Sequence, residues 1–202
     1  MMRRSLFPLA FLALAILPGS AQATATVGQA APDFILTDSK GAKQSLSTYK
    51  GKVVVLEWVN YECPFVKKHY GSGNMQKLEG AYTGKGVVWL SINSSAPGKQ
   101  GFFAPDVIET MFKERKAAST AYLVDPDGAV GRSYGARTTP HMFVIDGGGK
   151  LVYAGGIDDK PSTEQADIAG AKNYVQAALD ETLAGKPVST PTSTPYGCSV
   201  KY

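Results

Sequence analysis

The spacing of apolar and polar positions changes period several times along this chain, and each change marks an element. Val53 to Leu56 is an unbroken apolar run, with Trp58 and Val59 following. That pattern predicts a strand covered on both faces, as in a parallel sheet. After Pro64 the spacing turns helical to about Tyr70, and Gly71-Ser72-Gly73 interrupts it. Asn74 is a candidate cap for a continuation through Tyr82, with Met75, Leu78 and Tyr82 on one face. Val87 to Asn93 predicts a second core strand. A helix is expected over about Asp106 to Ala118, where Val107, Ile108, Met111 and Phe112 form an apolar stripe suited to core packing. Ala121 to Val124 predicts a short strand, stopped by the turn sequence Asp125-Pro126-Asp127-Gly128. Ala129 to Tyr134 suits one or two helical turns. His141 to Ile145 and Leu151 to Ala154 read as a hairpin around a Gly-rich loop, and Thr163 to Leu183 as a final amphipathic helix ending near Gly185. Upstream, Phe34 to Thr37 and Gln44 to Ser47 predict a short strand pair.

Strands separated by helices require parallel crossovers, and the hairpin adds an antiparallel edge. The expected class is therefore α/β, with a central mixed sheet flanked by helices. Both ends fall outside this scheme. Arg3 and Arg4, the apolar run Leu6 to Leu17 and the small residues Ala21-Gln22-Ala23 predict a cleaved signal peptide over residues 1–23. The run is short, and Pro8 interrupts it, which argues against a membrane anchor. Residues 24–185 form the expected single domain. Residues 186–202, with Pro187, Pro191 and Pro195 among Ser and Thr, predict an extended, mobile tail.

Composition narrows the function. The whole chain carries a formal +4, and residues 24–202 carry 19 Lys+Arg against 17 Asp+Glu, a +2 with the signs interspersed. No nucleic-acid partner is implied, nor stable membrane insertion once the leader is removed. Two cysteines, Cys63 and Cys198, are too few for a disulfide scaffold or a structural zinc site. Export places them in a compartment, most simply a bacterial periplasm, where thiols can be oxidised.

The chemistry centres on Cys63. It follows the core strand after a short turn and precedes Pro64, a residue favoured at the first helical position. Cys63 is thus the expected N-cap, with the N–H groups of Phe65 and Val66 directed toward its sulfur. Those donors and the helix dipole stabilise a thiolate. Lys67 and Lys68 add positive charge; Glu62 opposes them. The alternative is an inert core cysteine.

With these residues in view, the chain resembles the thioredoxin-like superfamily, and within it the redoxin (AhpC/TSA, peroxiredoxin-like) branch. The resemblance rests on Ala31-Pro32-Asp33-Phe34 at the entry, on the strand-then-Cys at 53–63, and above all on Tyr134 to Asp146, YGARTTPHMFVID. It implies a thioredoxin-like fold and a cis-proline at Pro140 facing Cys63, with Cys63 open to solvent. Backbone groups of Thr139 would then be offered to a bound thiol partner, and Arg137 nearby could support an anion. Val66 stands where a thioredoxin carries its second cysteine. Leu56 and Asn60 stand where a peroxiredoxin carries a proline and a hydroxyl.

Cys198 is the remaining candidate for a resolving cysteine. Thirteen residues separate it from Gly185, and at about 3.1 Å each they span ~40 Å, comparable with the ~40 Å diameter of such a domain. A stationary disulfide pinning the tail and an intermolecular pairing are the alternatives. The expected activity is thiol–disulfide exchange with an antioxidant role. The partners would be a thiol or disulfide protein, or a small peroxide, plus an external reductant, with no cofactor. The competing readings are a thiol peroxidase, a non-catalytic binding module and a copper-binding protein using His141 with the two cysteines. His69, six residues after Cys63, is expected on a solvent-facing side of the helix.

Overall fold

The structure is a computed structural model that describes residues 24–202; the expected signal peptide lies outside the described residues. The chain runs through β1 (Ile35–Asp38), β2 (Lys43–Ser45), β3 (Val54–Trp58), α1 (Pro64–Gly71), α2 (Asn74–Thr83), β4 (Val88–Asn93), α3 (Pro105–Glu114), β5 (Ala121–Val124), α4 (Ala129–Tyr134), β6 (Thr138–Thr139), β7 (His141–Ile145), β8 (Leu151–Gly155), α5 (Tyr174–Leu183) and β9 (Cys198–Ser199). Seven strands make one mixed sheet in the order β2-β1-β5-β4-β3-β7-β8, and β6 pairs with β9 separately. β3 lies between β4, its parallel partner, and β7, its antiparallel partner, so every residue from Val54 to Trp58 is buried. The unbroken apolar run has its cause here: helices or loops cover both faces of the strand.

The two-residue period of β3 divides the core. Val54, Leu56 and Trp58 join Leu90, Ile92, Phe143 and Tyr134 of α4 on one face. Val55 joins Trp89, Met142 and Val144, covered by Val66 and Tyr70 of α1, Met75 and Leu78 of α2, Ile108 of α3 and Leu179 of α5 on the other. No helix among the described residues is long and apolar enough to cross a membrane.

Three local expectations are corrected. Gly73, at φ +76°, caps α2 in place of Asn74, whose side chain instead meets His69. A left-handed residue between two abutting helices suits glycine, which has no Cβ to clash. The long helix expected over 163–183 is divided into a 3-10 segment, Gln165–Gly170, and α5. Asn173 starts α5, its Oδ1 accepting a hydrogen bond from the Gln176 N–H at 2.8 Å, and a side chain so used competes with continuous helix. The tail is extended as expected, but it is tied down rather than loose. Thr192 bridges to Ala154 of β8, and Cys198 and Ser199 pair with Thr139 and Thr138.

Candidate active site

β3 ends at Trp58, and the chain turns once before α1. Asn60 makes that turn: its Oδ1 accepts from the Glu62 N–H at 2.9 Å and its backbone carbonyl from the Cys63 N–H at 2.9 Å. Asparagine suits the position because its side chain closes a turn on its own backbone. The residue that replaces a peroxiredoxin hydroxyl is therefore buried turn structure, 2% exposed. Cys63 follows as the N-cap of α1, in extended conformation, with Pro64 at the first helical position.

β6 and the segment after it lie across from the sulfur. The Thr139–Pro140 peptide is cis. Cys63 Sγ is 3.0 Å from the Thr139 carbonyl oxygen and 2.7 Å from Cys198 Sγ; both thiols are free. Burial pushes the Cys63 thiol up, but Cys198 Sγ, the Val66 N–H, the Cys198 backbone and the Thr139 hydroxyl together hold it below its ordinary value. The Val66 N–H acts here as a nearby positive dipole, since the sulfur accepts no capping hydrogen bond of normal geometry. Thr139 Oγ1 is buried without a hydrogen-bond partner, and it lies near enough to Cys63 to favour the sulfur's anion. Cys198 moves the opposite way, to about 11, through burial and its contact with Cys63. Of the two sulfurs, Cys63 is the one set up as the anion, and Cys198 the one that keeps a proton to donate.

The structure brings Cys63, Cys198, Thr139 and Pro140 into one cluster. Arg137 joins only through its backbone, its carbonyl accepting from the Val200 N–H at 3.0 Å, while the residue itself is exposed. The expected open sulfur is corrected: Cys63 is 0% exposed, because Cys198 and the tail cover it. His69 is corrected likewise. It is fully buried; its Nε2 meets the Tyr196 hydroxyl at 3.1 Å and its Nδ1 the Asn74 amide nitrogen at 2.9 Å. Burial holds its pKa down at about 4, so it is neutral at pH 7. His141 packs on the Phe143 ring, its Nδ1 accepting from the Arg137 N–H at 3.3 Å. Among the described residues no cluster of three or more His, Cys, Asp or Glu side chains could hold a metal.

Two groups escaped the sequence reading. One is Tyr196, whose hydroxyl donates to Asp158 Oδ1 at 2.6 Å and whose ring packs on Phe65. The other is a pair of buried carboxyls beneath α1. Tyr70 Oη lies 3.2 Å from each Glu57 oxygen and 2.8 Å from Glu79 Oε1. Trp89 Nε1 donates to Glu57 at 2.9 Å and the Ala118 N–H to Glu79 at 2.6 Å. Burial raises Glu57 to about 8 and Glu79 to about 7, and the charge of Glu79 adds to the effect on Glu57. The available signal was Glu57 itself, one acid inside an otherwise apolar strand, which demands buried partners.

A mixed sheet with a cysteine at the mouth of a helix, confronted by a cis-proline, defines a thioredoxin-like protein. The chain belongs to the AhpC/TSA family, whose model matches residues 27–154. It is 30% identical over 125 residues to the thiol-disulfide oxidoreductase ResA of Geobacillus kaustophilus, an alignment covering 62% of this chain and 66% of that relative, just under two thirds of its length. A hypothetical protein of Sinorhizobium meliloti 1021 superposes with a TM-score of 0.74 at 28% identity, over 89% of this chain and 96% of that one. The thioredoxin domain of a thiol-disulfide oxidoreductase from Bacteroides vulgatus shares the fold, with a TM-score of 0.52 at 20% identity, over 73% of this chain and 98% of that one.

Proposed function

We propose that the protein is an exported thiol–disulfide oxidoreductase in which Cys63 is the nucleophile and Cys198 the resolving thiol. The observation that carries this is the 2.7 Å approach of the two sulfurs beside the cis Thr139–Pro140 bond, with Cys63 the more acidic. The Cys63 thiolate attacks one sulfur of a substrate disulfide. A mixed disulfide forms and the substrate's other sulfur leaves as a thiolate. Cys198 gives up its proton and attacks Cys63 Sγ, closing Cys63–Cys198 and releasing the second substrate thiolate. Two electrons have then passed from the protein to the substrate, and an external dithiol returns them. Val66, buried in the core in the place of a second helix cysteine, leaves this role to the tail. The ResA likeness supports the same class, and the predicted leader supports a periplasmic setting.

Mass mapping of the mildly oxidised protein, quenched and digested under denaturing conditions, tests the pairing. An intramolecular 63–198 link is expected; links only between molecules would remove the resolving role. Insulin-disulfide reduction should vanish in Cys63→Ser. Full activity in that variant would remove Cys63 as the nucleophile, absence of both disulfide reduction and peroxide turnover in the parent would favour a binding module, and peroxide turnover without disulfide exchange would favour the peroxidase.

A further inference from the structure

The proposed nucleophile is sealed. Cys63 has no exposed surface, and what lies over it is the last stretch of the chain. Residues 191–202 run as a strap across the mouth of the site. The Pro191 carbonyl accepts from the Ala154 N–H at 3.1 Å, and the Ser193 N–H donates to the Ala154 carbonyl at 3.3 Å. Ser193 Oγ accepts from the Gly156 N–H at 2.9 Å and meets the Tyr153 hydroxyl at 2.7 Å. Farther along, Cys198 is the antiparallel register partner of Thr139, and the Lys201 carbonyl accepts from the Ala96 N–H at 2.8 Å. Tyr202 then donates to the Ala136 carbonyl at 2.7 Å.

The body of the protein is shaped to receive this segment. A Cβ on Gly155 would collide with Ser193 Oγ, and one on Gly131 would sit 2.5 Å from the Tyr202 hydroxyl. From the strap's side, a Cβ on Gly197 would collide with the Thr139 carbonyl oxygen, at a φ of +142°. Backbone and strap are therefore in direct contact at three separate places along its length.

The position of the strap matters as much as its fit. Cys198 and Ser199 occupy the Thr138–Thr139 edge by antiparallel pairing and put a sulfur on Cys63. An extended polypeptide bearing a cystine sulfur would need that same edge and that same sulfur position. Strap and substrate chain exclude one another. Closest to the cysteine, the side chain that fastens the covering segment to the body is Tyr196, two residues before Cys198. Its hydroxyl reaches Asp158 and His69, both buried, and its ring lies on Phe65 of α1.

We infer that residues 191–202 are a built-in occupant of the substrate-chain edge, latched by Tyr196 on Asp158 and His69, and that the strap lifts before Cys63 meets an outside sulfur. This rests on the thiol–disulfide reading above and adds the substrate class, an extended cystine-bearing polypeptide, together with its gate. The cycle has a fixed order. The latch opens, the peptide pairs on Thr138–Thr139, and Cys63 forms the mixed disulfide as the other cystine sulfur leaves as a thiolate; the tethered peptide then comes off the edge, and the returning strap brings Cys198 to expel it. The expelled peptide sulfur leaves as a thiolate while the bond Cys63–Cys198 closes.

The test uses the full chain in a Cys198→Ser background, where Cys63 is the sole thiol. Tyr196→Phe keeps the ring and removes the latch hydroxyl; Gly197→Ala forces the strap off Thr139 by contact alone. Three rates are read: iodoacetamide alkylation of Cys63, amide exchange of residues 191–202, and attack of Cys63 on a synthetic extended peptide whose one cysteine is held as a thionitrobenzoate mixed disulfide. In that last reaction Cys63–S–S–peptide forms and the thionitrobenzoate thiolate leaves. Both variants should raise all three by roughly tenfold or more, the scale of one lost hydrogen bond to a charged group, with exchange in β3 and β4 unchanged. Unchanged alkylation and exchange in both variants would overturn the gate, as would a parent whose Cys63 already reacts as fast as in the unfolded chain. Faster alkylation with no peptide disulfide formed would leave the gate standing and remove the thiol–disulfide reading.

Discussion

Thr139 and Cys198 are partners across a two-strand ladder, and each presents a group to the same third atom, Cys63 Sγ. The threonine brings a carbonyl oxygen and an otherwise unpartnered hydroxyl; the cysteine brings its own sulfur. The Cys63 thiol donates to that carbonyl, a sulfur anion in its place faces the Cys198 S–H, and an electrophilic sulfur there meets the next nucleophile at contact distance.

Removing the Thr139 hydroxyl should show in the acidity of Cys63. Thr139→Val keeps the branched shape and the backbone carbonyl. Its loss should raise the Cys63 pKa by about one unit, since a hydrogen bond to a charged group contributes about 1.5 kcal/mol or more. Thiolate absorbance against pH measures the shift. An unmoved titration in Thr139→Val would mean the hydroxyl points elsewhere when the sulfur is charged.

Cys198→Ser should also trap the intermediate. With the resolving sulfur gone, a peptide disulfide substrate should remain attached to Cys63, visible as a stable mass increase, while turnover falls by about two orders of magnitude or more. Undiminished turnover would place the second thiol elsewhere, in an external dithiol.

The buried acids predict an unusual pH dependence of stability. Glu57 and Glu79 hold protons in the folded protein up to about 8 and about 7, whereas in the unfolded chain both are ionised above about 4.5. The native state binds more protons across that window, so stability is greatest below it and declines as pH rises through it, by on the order of a few kcal/mol. Tyr70 explains the need for a proton: one phenol faces both carboxyls and can donate to only one. Urea midpoints between pH 5 and 8 should fall in the wild type and flatten in Glu57→Gln. A midpoint independent of pH would show that the acids are already ionised.

Closing Cys63–Cys198 ties together residues 135 apart in sequence. The oxidised form should resist urea better than the dithiol by about 2–4 kcal/mol, chiefly through restriction of the unfolded chain. Equal midpoints for the two forms would point to strain in the bridged native state that offsets the gain.

Much of this protein is decided locally. The apolar run of β3, the Cys-Pro start of α1 and the turn at Asp125–Gly128 depend on neighbours within a few residues, so pattern alone locates them. The Tyr134–Asp146 segment is legible for another reason, its likeness to the cis-proline stretch of a known superfamily. What stayed hidden depends on distant partners. Asn74 is a good cap by type, but Gly73 holds the backbone angle the helix junction requires. His69 follows two lysines and reads as part of a polar face, and it is enclosed by residues far along the chain, Asp158 and Tyr196, the latter 127 residues away. A Ser/Thr/Pro tail without apolar period reads as mobile, since its anchoring is through backbone hydrogen bonds and glycine-sized gaps, which leave no periodic trace. Local pattern is enough to pick out the sulfur, the strand that delivers it and the helix mouth that holds it. That the same sulfur lies beneath the chain's own end comes from the folded arrangement, because closure of that kind is set by contacts between distant segments and not by the propensities of either.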